Sequence, residues 1–78
     1  MKLPVIRPKH LIKILEKKGC IFKRQSGSHR IFYCPENKKI ITVPMHAEDI
    51  KKGLLRSIIK ELNLSVEEFI NFLKKTEG

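Results

Sequence analysis

One short stretch of the sequence places a histidine beside a glycine turn and several cations. His29 follows Gly27 and Ser28, and a neutral imidazole can accept a proton near physiological pH. Three cations lie within six residues of it: Lys23, Arg24 and Arg30. Their positive charge favours the neutral imidazole and can stabilise the negative charge that a phosphate develops in its transition state. The stretch is therefore a candidate catalytic site, with His29 as the proton-transfer residue.

RNA is the substrate that best fits such a site. It carries its own nucleophile, the 2′-hydroxyl group, so a protein need only hold the backbone, remove that proton and neutralise the phosphate. This reaction needs no metal ion, and we expect neither a metal nor a cofactor. The cysteines and histidines lack the spacing of a metal site, and the carboxylates form no pattern that would hold Mg²⁺. His46, just after a predicted strand, and His10, on a predicted helix, are weaker catalytic candidates.

The positive charge of the chain is concentrated in its first 30 residues. The formal net charge is +9, of which +8 lies in residues 1–30. Three lysines of this part, Lys9, Lys13 and Lys17, recur at the spacing that lines one side of a helix. Such a concentration indicates a polyanionic partner, with nucleic acid first and an acidic protein or a membrane surface second. An ordinary solvated helix face explains the lysine stripe equally well.

Length and hydropathy limit the kind of protein this chain can be. Its 78 residues predict one domain over 1–78, and that length excludes a wide internal cofactor cavity. The longest apolar runs are far shorter than the roughly 20 residues that cross a bilayer. The first residues do not resemble a secretory signal, so we expect a cytoplasmic protein with no membrane partner.

The sequence predicts a small α+β fold. Apolar periodicity and turn residues indicate helices at about 8–18 and 53–62, strands at 20–25, 29–34 and 40–43, and a short last helix opened by a capping box at Ser65 and Glu68. The short connections require antiparallel strands. The expected order is α-β-β-β-α, with helices packed on one face of a three-stranded antiparallel sheet and a short C-terminal helix added. Both faces of the middle strand carry apolar side chains, so alternation does not decide which face is covered.

Two cysteines, Cys20 and Cys34, fall in predicted strands. Two cysteines do not make the disulfide framework of a small secreted protein. We therefore expect them to be small, half-buried strand residues in a reducing compartment.

Three ordered motifs give the chain a family resemblance. Residues 27–32 (GSHRIF), 41–46 (ITVPMH) and 52–59 (KGLLRSII) resemble, in order and spacing, the HicA family of small toxins from bacterial and archaeal toxin–antitoxin pairs, over about 7–72. The resemblance implies a fold like a double-stranded RNA-binding domain and a ribonuclease activity against messenger RNA. It also implies that His29 is catalytic, that Gly27 and Ser28 form its supporting turn, and that a HicB-like antitoxin covers that histidine.

The combined prediction is a metal-independent endoribonuclease toxin that cleaves RNA with a catalytic histidine, His29. The expected ligands of the scissile phosphate are Lys23, Arg24 and Arg30, and those of the flanking backbone are Lys9, Lys13 and Lys17. An alternative is a non-catalytic RNA-binding module that acts by occupancy. A further alternative is an interaction protein whose basic face docks an acidic partner.

Overall fold

The computed structural model describes residues 3–77 and confirms the predicted α+β order. The elements are α1 (Pro8–Lys17), β1 (Ile21–Ser26), β2 (His29–Cys34), β3 (Lys39–Pro44), α2 (Lys52–Glu61) and α3 (Val66–Glu77). The strands form one antiparallel sheet in the order β1-β2-β3. The last helix has 12 residues, so it is longer than the short helix that we predicted. No helix of the described residues is long and apolar enough to cross a bilayer.

The helix ends follow the local signals in the sequence. Pro8 occupies the first turn of α1, where its missing N–H costs nothing. Gly19 and Asn63 follow α1 and α2 with φ values of +86° and +59°, the left-handed conformation that ends a helix. The predicted capping box opens α3: the Glu68 N–H donates to Ser65 Oγ at 3.1 Å, and the Ser65 N–H donates to Glu68 Oε1 at 2.9 Å.

The helices cover the sheet face that carries Phe32, which settles the question that strand alternation left open. Phe32 and Cys34 of β2 are buried, as are Ile41 and Val43 of β3, and all four join the core formed with the helices. We call this side of the sheet the helix face. The opposite side, which we call the open face, carries the residues that alternate with them, beginning with His29.

A β-bulge in β1 changes the register between the first two strands. Phe22 pairs with Phe32, but the next paired residue is Arg24, which faces Ile31, so Lys23 is an extra residue. Phe22 therefore lies on the helix face, with its ring centroid 5.7 Å from that of Phe32. Arg24 lies on the open face.

The two cysteines form a disulfide, so the expectation of free cysteines was wrong. Cys20 and Cys34 are bonded, and their Cα atoms lie 4.1 Å apart. Both are buried rather than half-buried. The bulge at Lys23 is the physical reason, because the shifted register continues beyond Ile21 and Tyr33 and brings Cys20 opposite Cys34.

Candidate active site

A two-residue turn holds His29 at one end of the sheet. Ser26 and His29 are paired across it, and the turn consists of Gly27 and Ser28. Gly27 has a φ of +59° whereas the φ of Ser28 is not positive, which is the pattern of a type II′ turn. Such tight turns match the twist of the two strands, so His29 is the first residue of a well-defined strand. Its side chain is exposed.

The end of β3 is fastened to the same turn. His29 pairs with Pro44, and the Met45 N–H donates to the Ser28 carbonyl oxygen at 2.7 Å. The connection that follows β3 therefore begins beside His29. It is fastened again before α2, where the buried Ile50 donates its N–H to the Ile6 carbonyl oxygen at 2.8 Å.

These two attachments leave an open cleft beside His29. Its volume is about 390 Å³, and its lining residues are His29, Thr42, Pro44, Ala47, Lys51 and Leu54. Most of the surface area that lines the cleft is apolar, and Lys51 is the one lysine or arginine among the six residues. The cleft therefore combines a titratable imidazole, one positive charge and apolar walls, which is a common composition for a small-molecule site.

The structure does not bring all three predicted phosphate ligands to the same side as His29. Arg24 faces Ile31 on the open face, diagonally across from His29 and within reach of a long side chain. Arg30 follows His29 directly and so projects to the helix face, where it lines a groove with Phe22. Lys23 is the bulged residue between the two registers and is exposed.

The lysine stripe of α1 is divided between two grooves. Lys9, Lys13 and Lys17 are all exposed, as the periodicity predicted. Lys9 lines a groove with Arg7 and Ala47, and Ala47 also lines the His29 cleft. Lys13 and Lys17 line a separate groove against α3, shared with Glu16 and Lys75. Of the three lysines, Lys9 is the one whose groove adjoins the cleft.

Sequence reasoning missed Lys51 and Leu54 as site residues. The signal for them was indirect: an antiparallel pair of strands puts the start of β2 and the end of β3 at the same end of the sheet. His46 follows this junction and is exposed, whereas His10 is half-buried on α1. Among residues 3–77, no three His, Cys, Asp or Glu side chains are grouped so that they could hold a metal ion.

Comparison with known families gives a match over most of the chain. Residues 8–64 match the family described as "HicA toxin of bacterial toxin-antitoxin". The matched segment runs from the start of α1 to just beyond α2, so it includes the whole sheet and every lining residue of the cleft. None of the curated proteins matches the chain significantly.

Proposed function

Since the chain belongs to the HicA family of toxins from toxin–antitoxin pairs, which are generally ribonucleases, we propose that it is a metal-independent endoribonuclease acting on messenger RNA, with His29 as its catalytic residue. The observation that supports this most is the exposure of the His29 imidazole at the rim of an open cleft. A long RNA chain can approach such a position without any rearrangement of the protein.

The proposed reaction uses the 2′-hydroxyl of RNA as the nucleophile. His29 accepts the hydroxyl proton while the 2′ oxygen forms a bond to phosphorus. The bond from phosphorus to the 5′ oxygen breaks, and that oxygen takes a proton from water. The hydroxide that remains takes up the proton that His29 gained, so the imidazole is neutral again. The products are a 2′,3′-cyclic phosphate on one fragment and a 5′-hydroxyl on the other, which analysis of the fragment ends can identify.

Among the predicted cations, Arg24 has the placement that best suits the scissile phosphate. It shares the open face with His29, and a guanidinium can donate two hydrogen bonds to one phosphate. We assign the neighbouring Lys23 the same role. Arg30, on the helix face, would contact RNA that passes around the edge of β1, and the lysines of α1 would hold flanking backbone.

The decisive test compares wild-type protein with a His29→Ala variant on long RNA. We expect the cleavage rate to fall by about 10²–10⁴-fold, the usual contribution of a general acid or base. Because His29 is exposed, its removal should change the free energy of unfolding by about 0.5 kcal/mol or less. A His10→Ala variant is the matched control, and it should cleave like the wild type.

Two outcomes would contradict this proposal. Full cleavage by a folded His29→Ala variant would remove the histidine mechanism, and loss of wild-type cleavage on adding a chelator would remove the metal-independent one. A non-catalytic RNA-binding module would give no fragments from either protein, although it would still bind RNA. A protein-docking face alone would show no salt-sensitive affinity for RNA, whereas about six phosphate contacts would weaken binding by roughly a thousandfold between 50 and 200 mM salt.

Membership of the family also implies an antitoxin partner and an RNA substrate. We propose that the partner is a HicB-like antitoxin that covers His29, and that the toxin acts in the cytoplasm, where messenger RNA is found. In that case, the complex with its antitoxin should leave long RNA intact, and release of the toxin should restore cleavage.

A further inference from the structure

The cleft beside His29 contains five residues that the proposed reaction does not use. Pro44, Ala47 and Leu54 supply its apolar surface, Thr42 adds a hydroxyl group and Lys51 adds a positive charge. Leu54 is 37% exposed, although its neighbour Leu55 is fully buried in the core. Leu54 is therefore an apolar side chain that the fold leaves accessible at the rim of this cleft.

The walls of the cleft belong to elements that are fixed relative to one another. His29 begins β2, Thr42 and Pro44 end β3, and Leu54 lies in the first turn of α2. The connection that carries Ala47 is held at both ends by the Met45 and Ile50 backbone bonds, and Lys51, the next residue, is the N-cap of α2. The cleft is therefore formed before any ligand arrives, which reduces the entropy cost of binding.

The size and chemistry of the cleft suit one nucleoside unit. A volume of about 390 Å³ is near the lower end of the range for small-molecule sites. A nucleobase has two apolar faces and a polar edge, and proteins bind the splayed bases of single-stranded RNA against apolar surfaces. Apolar walls beside a hydroxyl group and a cation complement a base with its attached phosphate.

Given the ribonuclease activity proposed above, on which this step rests, we propose that the cleft is a nucleoside-binding subsite. It holds the base of a nucleoside next to the scissile phosphate against Leu54 and Pro44, and Lys51 binds a neighbouring phosphate. With His29 at the rim, a base held in the cleft keeps the adjacent ribose within reach of the imidazole. The residues of the cleft thereby determine which bases flank the cut.

The direct test is to titrate each of the four ribonucleoside 3′-monophosphates into the protein and to monitor the chemical shifts of its backbone amides by NMR. We expect the largest shifts within residues 42–54 and an order of affinity among the four bases that matches the base preference at the cut sites. Because these nucleotides are not cleaved, the titration reports on the subsite even if His29 has no catalytic role. Failure of the subsite and failure of the ribonuclease proposal are therefore distinguishable.

A charge placed on the apolar wall should block the subsite. The variant Leu54→Glu should bind the nucleotides about tenfold more weakly or worse, because it replaces the apolar contact with a charge that repels phosphate. It should fold, since a glutamate is favourable in the first turn of a helix. The matched control is Ile40→Glu, which makes the same change at an exposed apolar residue outside the cleft and should bind as the wild type does.

The contribution of Lys51 can be measured from the salt dependence of RNA binding. Loss of one phosphate contact in Lys51→Ala should reduce the slope of log affinity against log salt by about 0.7, the value for single strands. Lys52→Ala, which removes the adjacent exposed lysine outside the cleft, is the control. The subsite is overturned if the nucleotides shift amides elsewhere, if Leu54→Glu binds as tightly as Ile40→Glu, or if the two lysine variants have equal slopes.

Discussion

The two ends of the sheet are built in different ways. At the end that carries the β2–β3 turn, which we call the closed end, side chains tie the elements together. The Cys20–Cys34 disulfide joins the residue before β1 to the last residue of β2, and the Asn37 amide donates to the Glu61 carbonyl oxygen at 3.2 Å. Lys18 lies 3.6 Å from a Glu36 carboxylate oxygen and 5.7 Å from the centre of the Phe72 ring.

At the other end, which we call the active end, backbone hydrogen bonds connect segments that are distant in sequence. The side-chain bond from Gln25 Nε2 to the Gly27 carbonyl oxygen, at 3.2 Å, stays within the β1–β2 hairpin. The strand pairing of His29 and the bond from Met45 to Ser28 fix the position of the main chain. No side-chain hydrogen bond or ion pair among residues 3–77 involves His29 or Arg24. The difference shows how a small domain can keep reactive side chains free for a ligand while its stability depends on contacts made elsewhere.

The largest effect on stability should come from opening the disulfide at the closed end. Reduction removes a cross-link with a sequence separation of 14, which is worth about 3 kcal/mol of unfolding free energy in the loop-entropy account. Denaturant unfolding with and without dithiothreitol measures this loss. The cleavage rate of the protein that remains folded should not change, because the disulfide lies at the end of the sheet away from His29.

A Cys20→Ala and Cys34→Ala double variant provides the control for this measurement. It should be less stable than the oxidised wild type, and its stability should no longer respond to the reductant. Two free thiols in the untreated native protein would show that the bond is not formed. Equal stability with and without dithiothreitol would show that it does not stabilise the fold.

The disulfide is a feature of the fold that the local sequence did not predict. The turn residues, helix ends and capping box are local signals, and they predicted the fold class and the position of His29 correctly. A regular register from the two-residue turn would place Cys20 opposite Pro35 rather than Cys34. The bulge at Lys23 changes that pairing, and nothing in the local sequence indicates a bulge there.

The cleft was missed for a related reason. The antiparallel pairing predicted from sequence places the segment after Pro44 next to His29, so its neighbourhood could be foreseen. Which residues of that segment line the cleft depends on the bond between Ile50 and Ile6, a contact between distant parts of the chain. Arg30 does not lie on the same face as His29, as the predicted grouping required, because adjacent strand residues project to opposite faces.

A smaller effect should follow from straining the turn at the active end. Gly27 has a φ of +59°, and a Cβ atom added there would meet nothing within 4 Å. The variant Gly27→Ala should therefore lose about 1–2 kcal/mol of stability through backbone strain alone. Cleavage should fall as well, since the turn positions His29. Calorimetry and cleavage rates together measure the two effects.

Gly53 offers the matched control for that variant. It is in helix α2, and an added Cβ would again meet nothing within 4 Å. Gly53→Ala should therefore increase stability, by up to about 1 kcal/mol, because alanine favours a helix. If both substitutions change stability in the same direction, backbone conformation does not explain the requirement for glycine at position 27.

The smallest effect should be a pH-dependent one at the capping box of α3. The Ser65 backbone N–H, then its hydroxyl group and the charge of Lys18, lower the pKa of Glu68 below its ordinary value of 4.5. A carboxylate with a lowered folded pKa adds stability above its unfolded pKa, and that stability is lost as the pH falls through the folded pKa. The melting temperature of Glu68→Gln should therefore be below that of the wild type near pH 7, and this difference should disappear under acidic conditions.

Glu67→Gln, which changes the adjacent carboxylate, is the control and should show a smaller gap in melting temperature near pH 7. Because Glu68 is exposed and solvent screens its charge, the gap should also shrink in high salt. A gap that stays constant with pH would mean that the ionised carboxylate does not stabilise this helix.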